Sequence, residues 1–420
     1  MKQPNLQNIS DYFISSGSQM DEFIEATDVK LATKDESARF HTGRHLAILK
    51  PGETVFDDLE KDIDREAGIR MASTNDYKAE DFSEDLLDDA EAFIYHDLGL
   101  ALIGGETTQV DRLNRPDKNY VIVPEKITAI PKNQPGILKN NSTWGIKKTK
   151  SDLSAYDGQG IKVAILDTGM DLTHPDFAGR IIRHTSFVTG QGVQDRNGHG
   201  THCIGTACGN MDNSGKRYGV AKASEIYAGK VLSNAGSGAQ AWILNGMNWA
   251  TNRGCHVISM SLGSPVSNGQ TFDPAYERAA QYALSKGSFV VAASGNDSSR
   301  SIGIYRPISS PANCPSIFSV AAIDKNLQVA DFSNRQINPG TTMNIAGPGV
   351  NIYSSWPIPK RYHTISGTSM ATPHVAGIAA LIFQKNSGFT PKQIGTEIGK
   401  LATILPISGI DVGRGLCVAP

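Results

Sequence analysis

The chain has 420 residues, 39% apolar and 20% charged, with a formal net charge of −2. Its length suggests two domains, or one large domain with an appendage, and its composition is ordinary for a soluble globular protein with a full core. No apolar run approaches the ~18 residues of a membrane span, and the scattered basic residues resemble no nucleic-acid module.

The small net charge hides an asymmetry. Residues 1–135 carry 15 Lys and Arg against 27 Asp and Glu, a net −12, and residues 136–420 carry 25 against 15, a net +10. Two readings stand: an acidic solvated segment beside an ordinary domain, or two parts built to attract each other. The second is preferred, because the acidic part also has the patterning of a folded unit. The opening, "MKQPNLQNISDYFISSGSQMDEFIEA", has no basic stretch ahead of an apolar one, so no signal peptide is expected. The five cysteines (Cys203, Cys208, Cys255, Cys314, Cys417) form no CxxC pair, and an odd number leaves at least one free thiol. Reduced thiols and a cytoplasmic setting are expected, with export by a dedicated system left open.

Residues 1–40 are polar and aperiodic, a leader with a short helix around Met20–Ala26. From His41 the pattern changes. "RHLAILKPG" reads as a strand. "TVFDDLEKDIDREAGI" sets Val55, Phe56, Leu59, Ile63 and Ile69 on broadly one helical face. A second strand falls near Arg70–Thr74, then "AFIYHDLGLALIGG" reads as one strand, "TTQVDRLNR" as a short helix and "NYVIVPEKITAI" as a strand. This β-α-β-β-α-β order over residues 41–130 is that of a small ferredoxin-like α+β domain. Residues 131–143, "PKNQPGILKNNST", hold two prolines and three asparagines and read as a linker.

Across residues 144–420, short apolar strands ("IKVAILDTG", "EIYAGKVL", "CHVISMSLG", "SFVVAASGN", "IFSVAAID") alternate with helical stretches ("GTHCIGTACG", "GAQAWILNGMNWATNRG", "AYERAAQYALSKG"). Near-continuous apolar strands with helices between them predict an α/β domain with a mostly parallel sheet covered on both faces. In such a sheet, functional groups gather just past strand ends and at helix starts.

Four segments put polar residues there. In "AILDTGMDLTHPDF", a strand delivers Asp167 to its end, where it can orient a histidine or merely cap a turn. "DRNGHGTHCIGT" sets His199 between two glycines at a helix start, with His202 one turn deeper. A metal site on these histidines lacks an acidic residue between Asp195 and Cys208 to complete it. In "HTISGTSMATPHVAGIAALIFQ", Ser369 stands before an apolar helical run with Pro373 in its first turn, where free N–H groups and the helix dipole favour a developing anion. "SFVVAASGN" ends in Asn296, whose amide can donate to an oxyanion or serve a turn.

The chain order is Asp167, His199, Ser369, with gaps of 32 and 170 residues. That order separates the subtilisin type from the chymotrypsin and α/β-hydrolase types. The blocks "DTGMDLTHPDF", "NGHGTHCIGT", "SLGSP", "AASGN" and "GTSMATPHVAG" resemble, in order, the signatures of subtilisin-like serine proteases (subtilases), over roughly residues 144–417. The resemblance implies a serine endopeptidase. Ser369 would be its nucleophile, His199 its general base and Asp167 the residue orienting His199. Asn296 and the Ser369 N–H would form the oxyanion hole. It implies that Gly236, Ser237 and Gly238, with Ser261, Leu262 and Gly263, pair with an extended peptide, and that Ala293, Ser294 and Gly295 line the P1 pocket.

"HGTHC" is similar to the proteinase K branch, so Cys203 would pack behind the His199 ring, and a mercurial bound there should disturb catalysis. The family often holds Ca²⁺ by an Asp shortly after the triad Asp and a loop after the histidine helix. Here those are Asp176 and "GNMDNSGKRYG" with Asp212, though Lys216, Arg217 and the loop's length depart from the usual pattern, and a polar turn stands as the alternative. No organic cofactor is implied. Residues 41–130 resemble a subtilase propeptide, an intramolecular inhibitor and folding aid with its tail in the cleft and a cleavage point within 130–140. Pro131 and Pro135 would make that cleavage slow or intermolecular. The expected partners are polypeptide substrates and the chain's own propeptide, with no nucleic acid or membrane, and the protein is expected to be a monomer. Against these stand a silent regulator capped by its acidic part, which the intact triad opposes, and a serine esterase, which needs a GxSxG elbow where Ser369 has "GTSMA". A carboxyl-peptidase relative with Glu in place of His is opposed by His199.

Overall fold

A computed structural model describes residues 41–50, 56–67, 69, 71–73, 91–104, 107–115, 117–130, 134–135 and 142–420. The leader, its Met20–Ala26 helix and most of the 131–143 linker lie outside the described residues.

The N-terminal part comprises β1 (His41–Leu49), α1 (Asp57–Lys61, continuing as a π-turn through Ala67), β2 (Met71–Ser73), β3 (Ala92–Tyr95), β4 (Leu100–Ile103), α2 (Thr107–Leu113) and β5 (Tyr120–Ala129). Its strands lie in the order β5-β1-β4-β3-β2. The segment read as a single strand, "AFIYHDLGLALIGG", is a hairpin. A short 3₁₀ turn ends at Gly99 with φ +64°, and β3 and β4 pair antiparallel. In the four-stranded order β5-β1-β4-β3 these two are the second and third strands in the chain, β4 beside β1 and β3 beyond it, and β2, the second strand of the sequence reading, is an added edge strand parallel to β3. The hairpin escaped detection because both its strands are buried on both faces, which leaves no alternation to mark the turn.

Along β1 the period-2 rule divides the side chains. Ala47 and Leu49 join Leu59, Ile63, Val110 and Leu113 in a core under α1 and α2. Leu46 and Ile48 face the other way and merge with the main core. The N-terminal sheet is thus covered on both faces, one by its own helices and one by the rest of the chain.

The larger part begins with β6 (Gln134–Pro135) and α3 (Trp144–Lys148) and continues through β7 (Lys162–Asp167), β8 (Ile182–Ser186), α4 (His199–Cys208), β9 (Glu225–Lys230), β10 (Ser237–Ala239), α5 (Gln240–Asn252), β11 (Val257–Met260), α6 (Pro274–Ser285), β12 (Phe289–Ala293), β13 (Phe318–Ile323), β14 (Ile345–Pro348), β15 (Ile352–Ser355), β16 (Tyr362–Ser366), α7 (Thr368–Lys385) and α8 (Pro391–Leu401). Seven strands form one parallel sheet, β14-β13-β12-β11-β7-β9-β8. The five strands predicted from apolar runs are its centre, so the α/β architecture stands. β15, β16 and β6 form a small antiparallel sheet. No helix among the described residues is long and apolar enough to cross a membrane.

The two parts meet along α5, α6 and β10. Helix α5 starts after Ala239, which has no capping side chain. Glu125 of β5 supplies the acceptor instead: its Oε1 takes the Ala241 N–H at 2.7 Å, while Oε2 accepts from Arg44 Nε at 2.7 Å and Thr42 Oγ1 at 2.5 Å. Lys126 Nζ pairs with Asp273 at 2.8 Å, and Arg278 donates to the Leu49 carbonyl at 2.7 Å. The Lys126–Asp273 pair runs against the −12/+10 asymmetry, so any attraction between the parts acts through their summed fields and not through every contact.

Candidate active site

Asp167 ends β7 at the sheet's carboxyl edge, and His199 opens α4. His199 Nδ1 lies 2.8 Å from Asp167 Oδ1, which also accepts the Thr168 N–H at 2.7 Å. The helix start is fixed by Asp195. Its Oδ1 accepts from Asn197 N, Gly198 N and Thr168 Oγ1, and its Oδ2 from Thr201 N and Oγ1 at 2.9 and 2.7 Å. Thr168 Oγ1 in turn accepts the Gly200 N–H at 2.8 Å. Two glycines permit this geometry. Gly198 has φ +104° and a side chain there would meet the Trp356 ring, while a Cβ on Gly200 would lie 2.3 Å from the Gly169 carbonyl.

His202 is fully buried and its Nε2 bonds the Ile352 carbonyl at 3.0 Å. Burial pulls its pKa down to about 3, so it stays neutral. It packs α4 on β15 and makes no pair with His199, which leaves the metal reading of the two histidines without support.

Ser369 is the second residue of α7. That helix starts at Thr368, because Asn296 Oδ1 accepts both Thr368 N at 2.9 Å and Thr368 Oγ1 at 2.7 Å. Pro373 therefore stands in the second turn, not the first as the sequence suggested. It is four residues after Ser369 and has no N–H, so the Ser369 carbonyl loses its helical donor. Ser261 Oγ takes that place at 2.8 Å, with Cys203 Sγ at 3.6 Å. The Ser369 hydroxyl donates back to the Ser261 carbonyl at 3.1 Å. His199 Nε2 is buried without a hydrogen-bond partner. The nucleophile candidate and the base candidate are thus not yet bonded to each other, as often holds before substrate binds.

Asn296 follows β12. Its Oδ1 is committed to Thr368, which assigns the NH₂ end of the amide as donor, and the Ser369 N–H, in the first helical turn, has no partner within the helix. Cys203 Sγ lies 3.8 Å from His199 Nδ1 and is wholly buried. Burial, and then the Asp167 charge, push its thiol pKa well up, so it is no ready thiolate.

The peptide-binding candidates lie on either side of one extended segment. Ser237, Gly238 and Ala239 pair antiparallel with Ala129, Thr128 and Ile127 of β5. Ile130 N donates to Gly236 O at 2.9 Å, and Ala129 exchanges both backbone hydrogen bonds with Gly263, at 3.1 and 2.9 Å. The tail of the N-terminal part is therefore an added strand between these two edges. Beyond it, Gln134 and Pro135 pair with Ser366 and Ile365, just ahead of Ser369. Ser237 and Leu262 are wholly buried with this segment in place. Ala293, Ser294 and Gly295 are also buried, and Gly295 has φ +105°.

The calcium candidates do not fit the ion. Asp176 accepts from Tyr218 OH at 2.6 Å and Tyr362 OH at 2.9 Å, one on each oxygen. Asp212 Oδ1 takes Ser214 N, Ser214 Oγ and Lys216 N, and its Oδ2 takes Tyr353 OH at 2.8 Å. Every carboxylate oxygen is already engaged by a protein donor. Burial works to raise the Asp212 pKa, but these hydrogen bonds, Ser214 first, hold it below the usual value. Tyr353 and Tyr362 stack at 5.4 Å and Lys216 Nζ sits 5.0 Å over the Tyr353 ring.

Sequence reasoning missed Asp195 as an anchor, Ser261 as the brace of the Ser369 carbonyl, and the tyrosine clasp. The "DRNG" turn was a usable signal for Asp195; the other two are assembled from segments far apart in the chain.

Residues 158–408 match the subtilase family. The M-protease of Shouchella clausii (strain KSM-K16) is 40% identical over 305 residues, covering 72% of this chain and 73% of its own. Subtilisin Savinase of Lederbergia lenta is 42% identical over 277 residues, 65% of this chain and 95% of its own. A thermostable alkaline protease of Halalkalibacterium halodurans is 38% identical over 294 residues, 69% and 76%.

Proposed function

The chain belongs to the subtilase family and is a serine-type endopeptidase, and we propose that it works through Asp167, His199 and Ser369 and is made as a zymogen with residues 41–130 as its inhibitor. The observation that carries this reading is the strand Ile127–Ile130, hydrogen-bonded between Gly236–Ala239 and Gly263 as a peptide substrate would be.

In the reaction, Ser369 Oγ attacks the scissile carbonyl and His199 Nε2 receives its proton. His199 Nδ1–H donates to Asp167, which holds the tautomer and stabilises the imidazolium. The Ser369 N–H and the Asn296 amide receive the oxyanion. His199 then returns the proton to the leaving amine, and water repeats the cycle on the acyl-enzyme. The backbone of Gly236–Gly238 and Ser261–Gly263 binds the extended peptide, and Ala293–Gly295 bound the P1 side chain.

The sequence supports a reason for slow self-cleavage: position 131, which directly follows Ile130, is proline and has no N–H to donate to an edge of the cleft.

The five cysteines, all free and buried, support a reducing, cytoplasmic location. The test of the site is substitution in the full chain followed by a peptide-hydrolysis assay. Ser369→Ala and His199→Ala abolish turnover, while Asn296→Ala lowers it by about 10²–10³, the general cost of one lost oxyanion donor. Turnover that survives Ser369→Ala would refute the assignment.

A further inference from the structure

Lys230 is the last residue of β9, and the strand register sets it beside Asp167 at the end of β7. It is 0% exposed. Its Nζ donates to the Thr168 carbonyl at 2.6 Å, within the segment that links Asp167 to Asp195. The charged groups acting on it are Asp195 and Asp167, and β8, on its other side, sets Ser186 opposite it. Asp195 accepts five hydrogen bonds. Two buried acidic side chains, one of them bonded to His199, thus act electrostatically on one buried lysine, whose Nζ is held by the Thr168 carbonyl between them. A Met or Leu would fill the same volume without the cost of desolvating a charge, so packing alone does not account for a lysine here.

We propose that Lys230 is a positioning residue of the hydrolytic reaction: its buried ammonium offsets the charge of Asp167 and Asp195 and so sets the pH at which His199 becomes able to accept the Ser369 proton. The proposal rests on the assignment of His199 as base. A cation beside the Asp167–His199 pair disfavours the imidazolium, and removing it makes His199 hold its proton to higher pH. Burial draws the Lys230 pKa down to about 8, against the pull of Asp195 and Asp167.

The test is the pH profile of kcat/KM on an uncharged peptide substrate, with the full chain expressed whole and assayed after processing. In Lys230→Met the acid limb moves up by about half a unit, the size of one nearby, partly screened charge. In Lys230→Arg, which keeps the charge, the limb stays at the wild-type position. A purely structural lysine would lower activity or stability and leave the limb in place, so a folded Lys230→Met enzyme with an unmoved limb overturns the proposal. Should Lys230→Met fail to fold, Lys230→Gln, which also removes the charge, decides: its acid limb moves up in the same way, and an unmoved limb overturns the proposal. Turnover surviving His199→Ala would instead overturn the assignment beneath it, which separates the two failures.

Discussion

Glu125→Gln isolates what holds the N-terminal part on the enzyme. Glu125 is wholly buried and caps α5, a helix with no capping side chain of its own. The change keeps an acceptor of nearly the same shape and removes the charge. A carboxylate at a partly buried helix N-terminus contributes up to ~2 kcal/mol, and turning a charge-assisted hydrogen bond into a neutral one costs about 1 kcal/mol. Arg44 and Thr42 move with Glu125, so their bonds are counted in neither term. The hold then weakens by about 2–3 kcal/mol, or ~30–150-fold in the open fraction. Trypsin can cut after Lys126 only when β5 leaves its neighbours, since Lys126 lies within that paired strand. In a Ser369→Ala background, where self-cleavage is off, the rate of that cut follows the open fraction. Mass spectrometry should find it ~30–150-fold faster with Glu125→Gln. An unchanged rate in a folded variant would refute the reasoning that the helix cap carries the hold.

Three further outcomes follow from the geometry. Pro131→Ala supplies a backbone N–H directly after Ile130 and should speed self-cleavage by ~10-fold or more, the worth of one added hydrogen bond near the reacting centre; time-resolved intact mass checks it, and an unaltered rate means that the proline is not the obstacle. With Asp176 and Asp212 occupied by Tyr218, Tyr353 and Tyr362, this region should be indifferent to chelators, so EDTA leaves the melting temperature in place, whereas Tyr362→Phe lowers it by about 1–2 °C for about 1 kcal/mol lost. A mercurial should react slowly with Cys203, whose thiol is buried and protonated, and should inhibit once bound beside His199; full labelling with activity intact would exclude that link, and Cys203→Ala should abolish the sensitivity.

What the sequence revealed, and what it hid, divides along physical lines. The sheet's central strands are continuous runs of apolar residues buried on both faces, a signal that local composition carries. The triad candidates lie just past strands and at helix starts, where glycines mark tight approaches such as Gly198 on Trp356. The edge strand β8, "IRHTS", is polar and half-exposed and offers no such signal. The β3–β4 hairpin was hidden by burial on both sides. The start of α7 is set by a bond from Asn296, 72 residues away, which overrides the local cue of Pro373. The tyrosine clasp on Asp176 and Asp212 joins residues from separate segments, so an oxygen-rich loop read alone suggested an ion. Lys230 reads as one more strand-end lysine until the register places it beside Asp167.

Intact mass followed over time, for the full-length wild type and Ser369→Ala at two protein concentrations, tests the account most directly. The account predicts that the wild type slowly loses ~130–140 residues, the length up to the linker, that the rate rises with concentration, and that Ser369→Ala stays whole. A Ser369→Ala chain that processes itself at the wild-type rate would contradict it.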